Sequence, residues 1–253
     1  MRLTQYILRN FFFRIKEASD KEFQRNVWLS QSNPLRLESS FTDLYNDFES
    51  DLNVEDILDR PTSETGLSEA TKEEVRKLKK LIVEFDGPNR SDKEILENPA
   101  WDTVVIQAKS VLHVHCNYIS FQPVSFNSVD QLLIRTEEMF YDQSQGKAAD
   151  YCEWVVDISI ELAQRIYCNP ELYNFHFQVC NVLDVFLKHN ITYQGVTGHP
   201  LPPGDFDFSS LGFEKLSKSD RNSFTLDKKI LHEILVAAKD VDAKSNLYPF
   251  SDK

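Results

Sequence analysis

The sequence predicts a mainly α-helical fold, arranged either as one helical bundle or as two packed helical subdomains. Apolar residues recur at helical spacing in five segments, helix-start signals precede several of them, and strand-like runs are rare. Glycine is scarce, with seven residues in 253, and four of these lie between positions 195 and 212. With 41% hydrophobic residues, a chain of this length can bury a substantial core.

Chemical signals mark five helix starts. Three match the capping box, in which a Ser or Thr is followed three residues later by Glu or Gln. These three are Ser19 with Glu22, Thr71 with Glu74, and Ser128 with Gln131. In the other two an Asn precedes a Pro, whose missing amide costs nothing in the first helical turn. These two are Asn98 with Pro99 and Asn169 with Pro170.

Apolar stripes indicate which helix faces enter the core. We expect an amphipathic helix in residues 1–19, rather than a targeting segment, because the segment has no uninterrupted apolar region. Later stripes follow the helical period in residues 75–85, 101–115, 152–166, 172–186 and 225–238. Two short β-compatible runs, 119–124 and 191–196, are the exceptions.

The chain is expected to contain two domains. The polar, Pro-containing segment 122–127 suggests a boundary between an N-terminal helical domain, 1–120, and a C-terminal helical domain, 121–253. The second domain would contain a long loop, 191–224, and loops of that length are often functional or mobile.

Negative charge is concentrated in the segment 37–70. The whole chain carries a formal charge of −12, and this segment contributes ten acidic residues against one basic residue. Such a patch attracts a basic protein and repels nucleic acid. A solvated helix face is the simpler interpretation, and no calcium-loop motif is present. The candidate partner-binding residues are Asp43, Asp47, Glu49, Asp51, Glu55, Asp56 and Asp59.

Several classes of function are disfavoured. The isolated glycines form no phosphate-binding loop and no hydrolase nucleophile elbow, and we expect no cofactor. An isoelectric point near 5.0 argues against direct nucleic-acid binding, and no apolar run approaches the length of a membrane span. The four dispersed cysteines favour free thiols in a cytoplasmic protein.

Three weaker patterns leave an enzyme open. His113 and His115 would share a face on a strand and bind a metal there, but on a helix they diverge. A nucleophilic set would use His176 and Cys180 together with His189, His199, Asp205 and Asp207. A di-iron site would use Asp150, Glu153, Asp157 and Glu161, although the Glu-x-x-His pairs of such sites are missing.

Some residues resemble those of small bacterial immunity proteins, the cognate partners of contact-dependent and related polymorphic toxins. The resemblance lies in residues 1–115: Asp20–Trp28, the acidic stretch 41–59, the helix 71–85, and the run Glu97-Asn-Pro-Ala-Trp101-Asp with Ala108-Lys109 and Val111-Leu112. It implies a cytoplasmic, non-catalytic protein that binds and blocks one toxin domain, and it transfers no binding residue.

We therefore expect a stoichiometric protein-binding protein, an immunity or inhibitor protein that neutralises a basic toxin domain such as a nuclease. The alternative is a hydrolase or metal-dependent enzyme with a site between the two halves. An adaptor with several weak partners is a third hypothesis.

Overall fold

The fold is that of a computed structural model, which describes residues 5–29, 39–85, 87, 89–144, 160–176, 179, 229, 232–233 and 235–236. The described residues form helices and turns and include no strand, which confirms the mainly α-helical prediction. Within these ranges, no helix combines the length and the apolar character needed to cross a bilayer.

The described residues belong to two compact units. The first contains those up to Ser125 together with 160–170, and the second contains 126–144, 171–176, 179 and the described positions between 229 and 236. The predicted domains 1–120 and 121–253 stay a prediction, although the packing places residues 160–170 with the N-terminal helices.

The longest described helix, Pro99–Ser120, lies in the first unit. The helices in chain order are α1 (Gln5–Ser19), α2 (Lys21–Trp28), α3 (Phe41–Asn46), α4 (Val54–Asp59), α5 (Thr62–Thr65), α6 (Glu69–Val83), α7 (Asp92–Glu97), α8 (Pro99–Ser120), α9 (Val129–Ser144) and α10 (Ile160–Arg165). A π-helical turn, Asp47–Asp51, follows α3, and a 3-10 turn, Ile166–Cys168, follows α10. Residues 170–176 are also helical.

Three of the five predicted helix starts are confirmed. Asn98 caps α8 by accepting a hydrogen bond from the amide of Ala100 at 2.9 Å, and Pro99 is the first helical residue. Ser128 precedes α9 and accepts from the amide of Gln131 at 3.3 Å. Helical structure also begins at Pro170, directly after Asn169.

The other two predicted starts are wrong by one residue and by one turn. Ser19 is the last residue of α1, and the neighbouring Asp20 caps α2 by accepting from two backbone amides. Ser68, rather than Thr71, caps α6. A carboxylate or a hydroxyl oxygen can accept from the same unpaired amides at a helix start. Where two candidates are close in sequence, the cap is the residue whose oxygen reaches those amides, here Asp20 and Ser68.

The predicted apolar stripes face the core where the structure describes them, and much of the stripes 152–166, 172–186 and 225–238 lies outside the described residues. On α1, five residues are fully buried, which confirms the amphipathic helix: Leu8, Phe11, Phe12, Ile15 and Ala18. The stripes of α6 and α8 are buried as expected, and α8 packs against both α6 and α1. Trp101 of α8 is among the largest side chains with no exposed surface. The β-compatible run 119–124 forms no strand, because its first two residues finish α8.

Residues 160–168 pack onto α1 and α8 through polar contacts. The Arg165 guanidinium donates to the carbonyl oxygens of Ile119, at 3.2 Å, and Gln122, at 2.9 Å, and also to that of Pro123. It therefore satisfies carbonyls at the end of α8, where a helix has no internal donors left. The Tyr167 hydroxyl donates to the Arg9 carbonyl at 2.9 Å.

The second unit is described mainly through α9 and residues 171–176. Helix α9 buries Val129, Leu132, Leu133 and Thr136. The carboxylate of Glu137 lies 2.7 Å from Nδ1 of His232. The described part of this unit is helical and includes buried apolar side chains.

Candidate partner-binding surface

The acidic stretch 41–59 is folded onto the first unit, as the sequence predicts. It consists of α3, the π-helical turn and α4, and most of its apolar members are buried, while Tyr45 and Leu52 are half-buried. The buried ones are Phe41, Leu44, Phe48, Val54, Ile57 and Leu58. The carboxylates lie between these positions, on the solvent side of the same helices. The exposed carboxylates of the segment therefore lie on helices that are held in place by their buried apolar residues.

Four of the seven candidate carboxylates are exposed and have no basic group of a described residue within ion-pair distance. They are Asp43, Glu49, Asp51 and Asp59, and we call them the open carboxylates. Within the described part of the chain, none of them forms an ion pair. Asp43 accepts a hydrogen bond from the Ser40 hydroxyl at 2.7 Å, which leaves its charge uncompensated.

The other three candidates pair with basic residues of the same chain. Asp47 pairs with Arg14, and Glu55 lies 2.7 Å from the Lys79 ammonium. Asp56 accepts from two guanidinium nitrogens of Arg60, at 3.0 and 2.8 Å. Exposed pairs of this kind contribute little to stability, so a partner can displace those of Glu55 and Asp56. Asp47 belongs to a more enclosed arrangement.

Asp47 is fixed by a partly buried polar network at the side of α1. Arg14 bridges Asp47 and the fully buried Glu17, whose carboxylate lies 2.6 Å from the guanidinium. Glu17 also accepts from the Trp28 indole at 2.7 Å and from the Ser39 hydroxyl at 2.6 Å. Burial disfavours the charge of Arg14, but the two carboxylates outweigh it and leave the pKa of Arg14 raised.

A second buried contact carries the network to α8. The Gln24 side chain donates to the backbone carbonyl of Glu17 at 2.7 Å and accepts from the Trp101 indole at 2.9 Å. Both indole nitrogens of this region therefore have acceptors, as buried indoles generally do. The acidic segment is thus tied through α1 and α2 to the central helix.

Helix α3 is also anchored at its start. The amide of Phe41 donates to the carboxylate of Asp92, the first residue of α7, at 2.9 Å. Burial raises the pKa of Asp92; the Phe41 hydrogen bond opposes this rise and nearby Asp43 adds to it. The contact joins residues 51 positions apart in sequence.

The backbone between α3 and α4 changes geometry twice. The π-helical turn Asp47–Asp51 contains two of the open carboxylates, and Asn53 adopts a left-handed conformation with φ of 47° before α4. Asn tolerates this region better than most residues because its short polar side chain avoids much of the steric cost. The two changes redirect the chain so that Phe48 and Val54 both reach the core.

His113 and His115 diverge on α8, as helical geometry predicts. His115 is fully buried, and its Nε2 lies 2.9 Å from the Gln164 carbonyl oxygen, whereas His113 is exposed. Burial lowers the pKa of His115 to about 4, and the Gln164 hydrogen bond opposes that shift. Over the residues that the structure describes, no group of three or more His, Cys, Asp or Glu is placed to hold a metal.

The remaining enzymatic patterns fall mostly outside the described residues. His176 is buried in the second unit, but Cys180, His189, His199, Asp205 and Asp207 lie outside. Of the di-iron candidates only Glu161 is described: it accepts from the amide and hydroxyl of Ser125 and lies 3.5 Å from Arg165. The predicted loop 191–224 is also outside. The enzyme alternative stays a hypothesis.

The expectation of free thiols is wrong for two of the four cysteines. Cys116 of α8 and Cys168 of the 3-10 turn form a disulfide, with Cα atoms 5.1 Å apart. Spacing along the sequence gave no sign of it, because 52 residues separate the two. Cys152 and Cys180 lie outside the described residues.

A groove of about 700 Å³ lies between the α1–α2 junction and α8. Lys21 and Asp102 form a 2.6 Å ion pair there, while Ile106 is 66% exposed. Its lining combines basic, acidic and apolar side chains, so it shows no clear preference for the charge of a ligand.

Sequence reasoning missed the basic residues that compensate the acidic segment. Arg14 and Lys79 come from α1 and α6, 33 and 24 residues away from their partners. Only Arg60, four residues after Asp56, carries a local signal, the helical i, i+4 spacing.

No protein-family model, curated protein or solved structure matches this chain.

Proposed function

We propose that this protein acts by stoichiometric binding, as a cytoplasmic immunity or inhibitor protein that neutralises a basic bacterial toxin domain such as a nuclease. The observation that carries the proposal is the set of open carboxylates, Asp43, Glu49, Asp51 and Asp59, held on helices whose apolar faces are buried. The resemblance of residues 1–115 to immunity proteins supports the same interpretation.

The physics of association favours a charged surface of this kind. Carboxylates that form no ion pair within the described part of their own chain attract a cationic surface at long range and raise the association rate. Because the segment is anchored by the Arg14 network and by Asp92, little conformational freedom remains to be lost on binding. A basic nuclease surface would also be the surface that its own nucleic-acid substrate needs, so occupying it blocks activity.

Neutralising the open carboxylates tests the proposal. The tagged protein is used to capture its partner from the native host, and the partner is purified. Association and dissociation rates are then measured for the wild type and for D43N/E49Q/D51N/D59N. We expect the variant to associate about ten-fold to a hundred-fold more slowly, because electrostatic steering supplies that range.

Salt dependence and a matched control variant distinguish attraction by the open carboxylates from the effect of the protein's net charge. Raising ionic strength from about 0.01 M to about 1 M shortens the Debye length from about 30 Å to about 3 Å, which should slow wild-type association toward that of the variant. The control, E84Q/E97Q/D130N/E138Q, removes four exposed carboxylates elsewhere. Equal rates for wild type and variant, or equal losses in variant and control, would place the interface away from the acidic segment.

A further inference from the structure

The disulfide between Cys116 and Cys168 joins two segments that also meet through non-covalent contacts. Cys116 lies in the last two turns of α8, and Cys168 ends the 3-10 turn. Both side chains are half-buried, so they are neither sealed in the core nor fully in solvent. Their Cα separation of 5.1 Å lies within the range that disulfides require.

The neighbouring contacts position the two sulfur atoms independently of the bond. The carbonyl of Gln164 is paired with His115, the residue before Cys116. The ring of Tyr167, the residue before Cys168, stacks on Phe12 with centroids 5.6 Å apart, and Phe12 also lies 4.5 Å from the His115 ring. Thiols held together in this way have a high effective concentration, which favours closing the bond intramolecularly.

We propose that Cys116 and Cys168 form a reversible thiol–disulfide latch that fastens residues 160–168 to α8. With the bond closed, the segment cannot leave α8. With both thiols reduced, non-covalent contacts alone hold it, among them the hydrogen bonds of Arg165, Gln164 and Tyr167 and the burial of Leu162, Ala163 and Ile166. In a reducing compartment the latch opens, and exposure to an oxidising disulfide closes it. This inference is independent of the proposed partner.

The chemistry balances with a low-molecular-weight disulfide such as oxidised glutathione as the oxidant. One protein thiolate attacks a sulfur of the oxidant, which breaks its S–S bond, releases one thiol and leaves a mixed disulfide. The second protein thiolate then attacks the protein sulfur of the mixed disulfide and displaces the second thiol. Two electrons and two protons pass from the protein to the oxidant, and a dithiol reductant reverses both steps.

The test compares oxidised and reduced full-length protein. After equilibration with oxidised glutathione or with dithiothreitol, peptide mapping should place the bond at Cys116–Cys168. The reduced form should melt about 5–15 °C lower, because a link across 52 residues constrains the unfolded chain. Deuterium uptake by peptides covering 160–168 should be at least about tenfold faster in the reduced form, while uptake in α6 should change much less.

Two variants assign the effect to this pair. In C152S/C180S the redox-dependent shift should persist, and in C116S/C168S it should vanish. The proposal is overturned if mapping finds a different pairing, if both redox forms of the wild type melt and exchange alike, or if C116S/C168S still responds to dithiothreitol. Should C116S/C168S fail to fold, the mapping and exchange of the wild type decide the question.

Discussion

Replacing Glu17 with Gln should destabilise the protein strongly even though the side chain keeps its size. Glu17 has no exposed surface and accepts from the Arg14 guanidinium, the Trp28 indole and the Ser39 hydroxyl. An amide oxygen can still accept from Trp28 and Ser39. The amide nitrogen, however, is a donor and would face the donor groups of Arg14.

The expected loss of unfolding free energy in E17Q depends on the partner that Arg14 keeps, which is Asp47. Removing one partner of a buried ion pair costs about 3–5 kcal/mol, mainly because the remaining charge is left uncompensated. Here Asp47 still faces Arg14, so the lower end of that range, about 3 kcal/mol, is expected. Since domains are stable by about 5–15 kcal/mol, this is a substantial fraction.

Urea unfolding followed by circular dichroism measures the effect. The midpoint of E17Q should fall with little change in slope, and the melting temperature should drop by about 6–12 °C. The matched control is E97Q, which removes an exposed carboxylate 3.9 Å from Lys93 and should cost less than about 0.5 kcal/mol. A loss below about 1 kcal/mol for E17Q would refute the conclusion that the buried network fixes Arg14.

Three further predictions use the same unfolding assay. R165M should cost about 3 kcal/mol and R165K less, because only the planar guanidinium reaches several carbonyls at the end of α8; equal costs would contradict this role. Burial lowers the pKa of His115 to about 4. The free energy of unfolding should therefore be unaffected by His115 above pH 6.5 and should fall by about 3 kcal/mol as the pH is lowered to about 4. Below pH 6.5 the unfolded chain binds a proton that the folded chain does not, and H115Q should show a flatter pH dependence; a wild-type slope in H115Q would assign the effect elsewhere. D20A should lower the free energy of unfolding by about 1 kcal/mol and S19A by less, since Asp20 caps α2. A larger loss for S19A than for D20A would favour Ser19, the cap predicted from the sequence.

Much of the fold was predictable because its determinants are local. The burial of Val75, Leu78 and Ile82 follows from their spacing alone, and the Asn98–Pro99 start of α8 needs only adjacent residues. Helix starts were misplaced where several capping residues compete within one turn, as at Ser68 and Thr71. Local patterns define a helix more firmly than its first residue.

Contacts between distant segments were not predictable. The sequence alone gives no reason to pair Arg14 with Asp47 or Cys116 with Cys168, because neither separation matches a helical or strand period. Those pairings depend on how α1, α8 and residues 160–168 pack. The acidic segment was therefore recognised from composition, whereas the four residues that remain open within it required the structure.

The buried network also determines what the acidic segment can present. Asp47 is the carboxylate of the segment least available to a partner, because Arg14 holds it from the interior side. Asp47 is also the first residue of the π-helical turn that carries Glu49 and Asp51, so its pairing with Arg14 anchors that turn. Loss of Glu17 would loosen Arg14 and, through Asp47, this turn. Binding of a basic partner would then have to order the turn again, so the same substitution that lowers stability should also weaken association through a part of the molecule that the partner never touches.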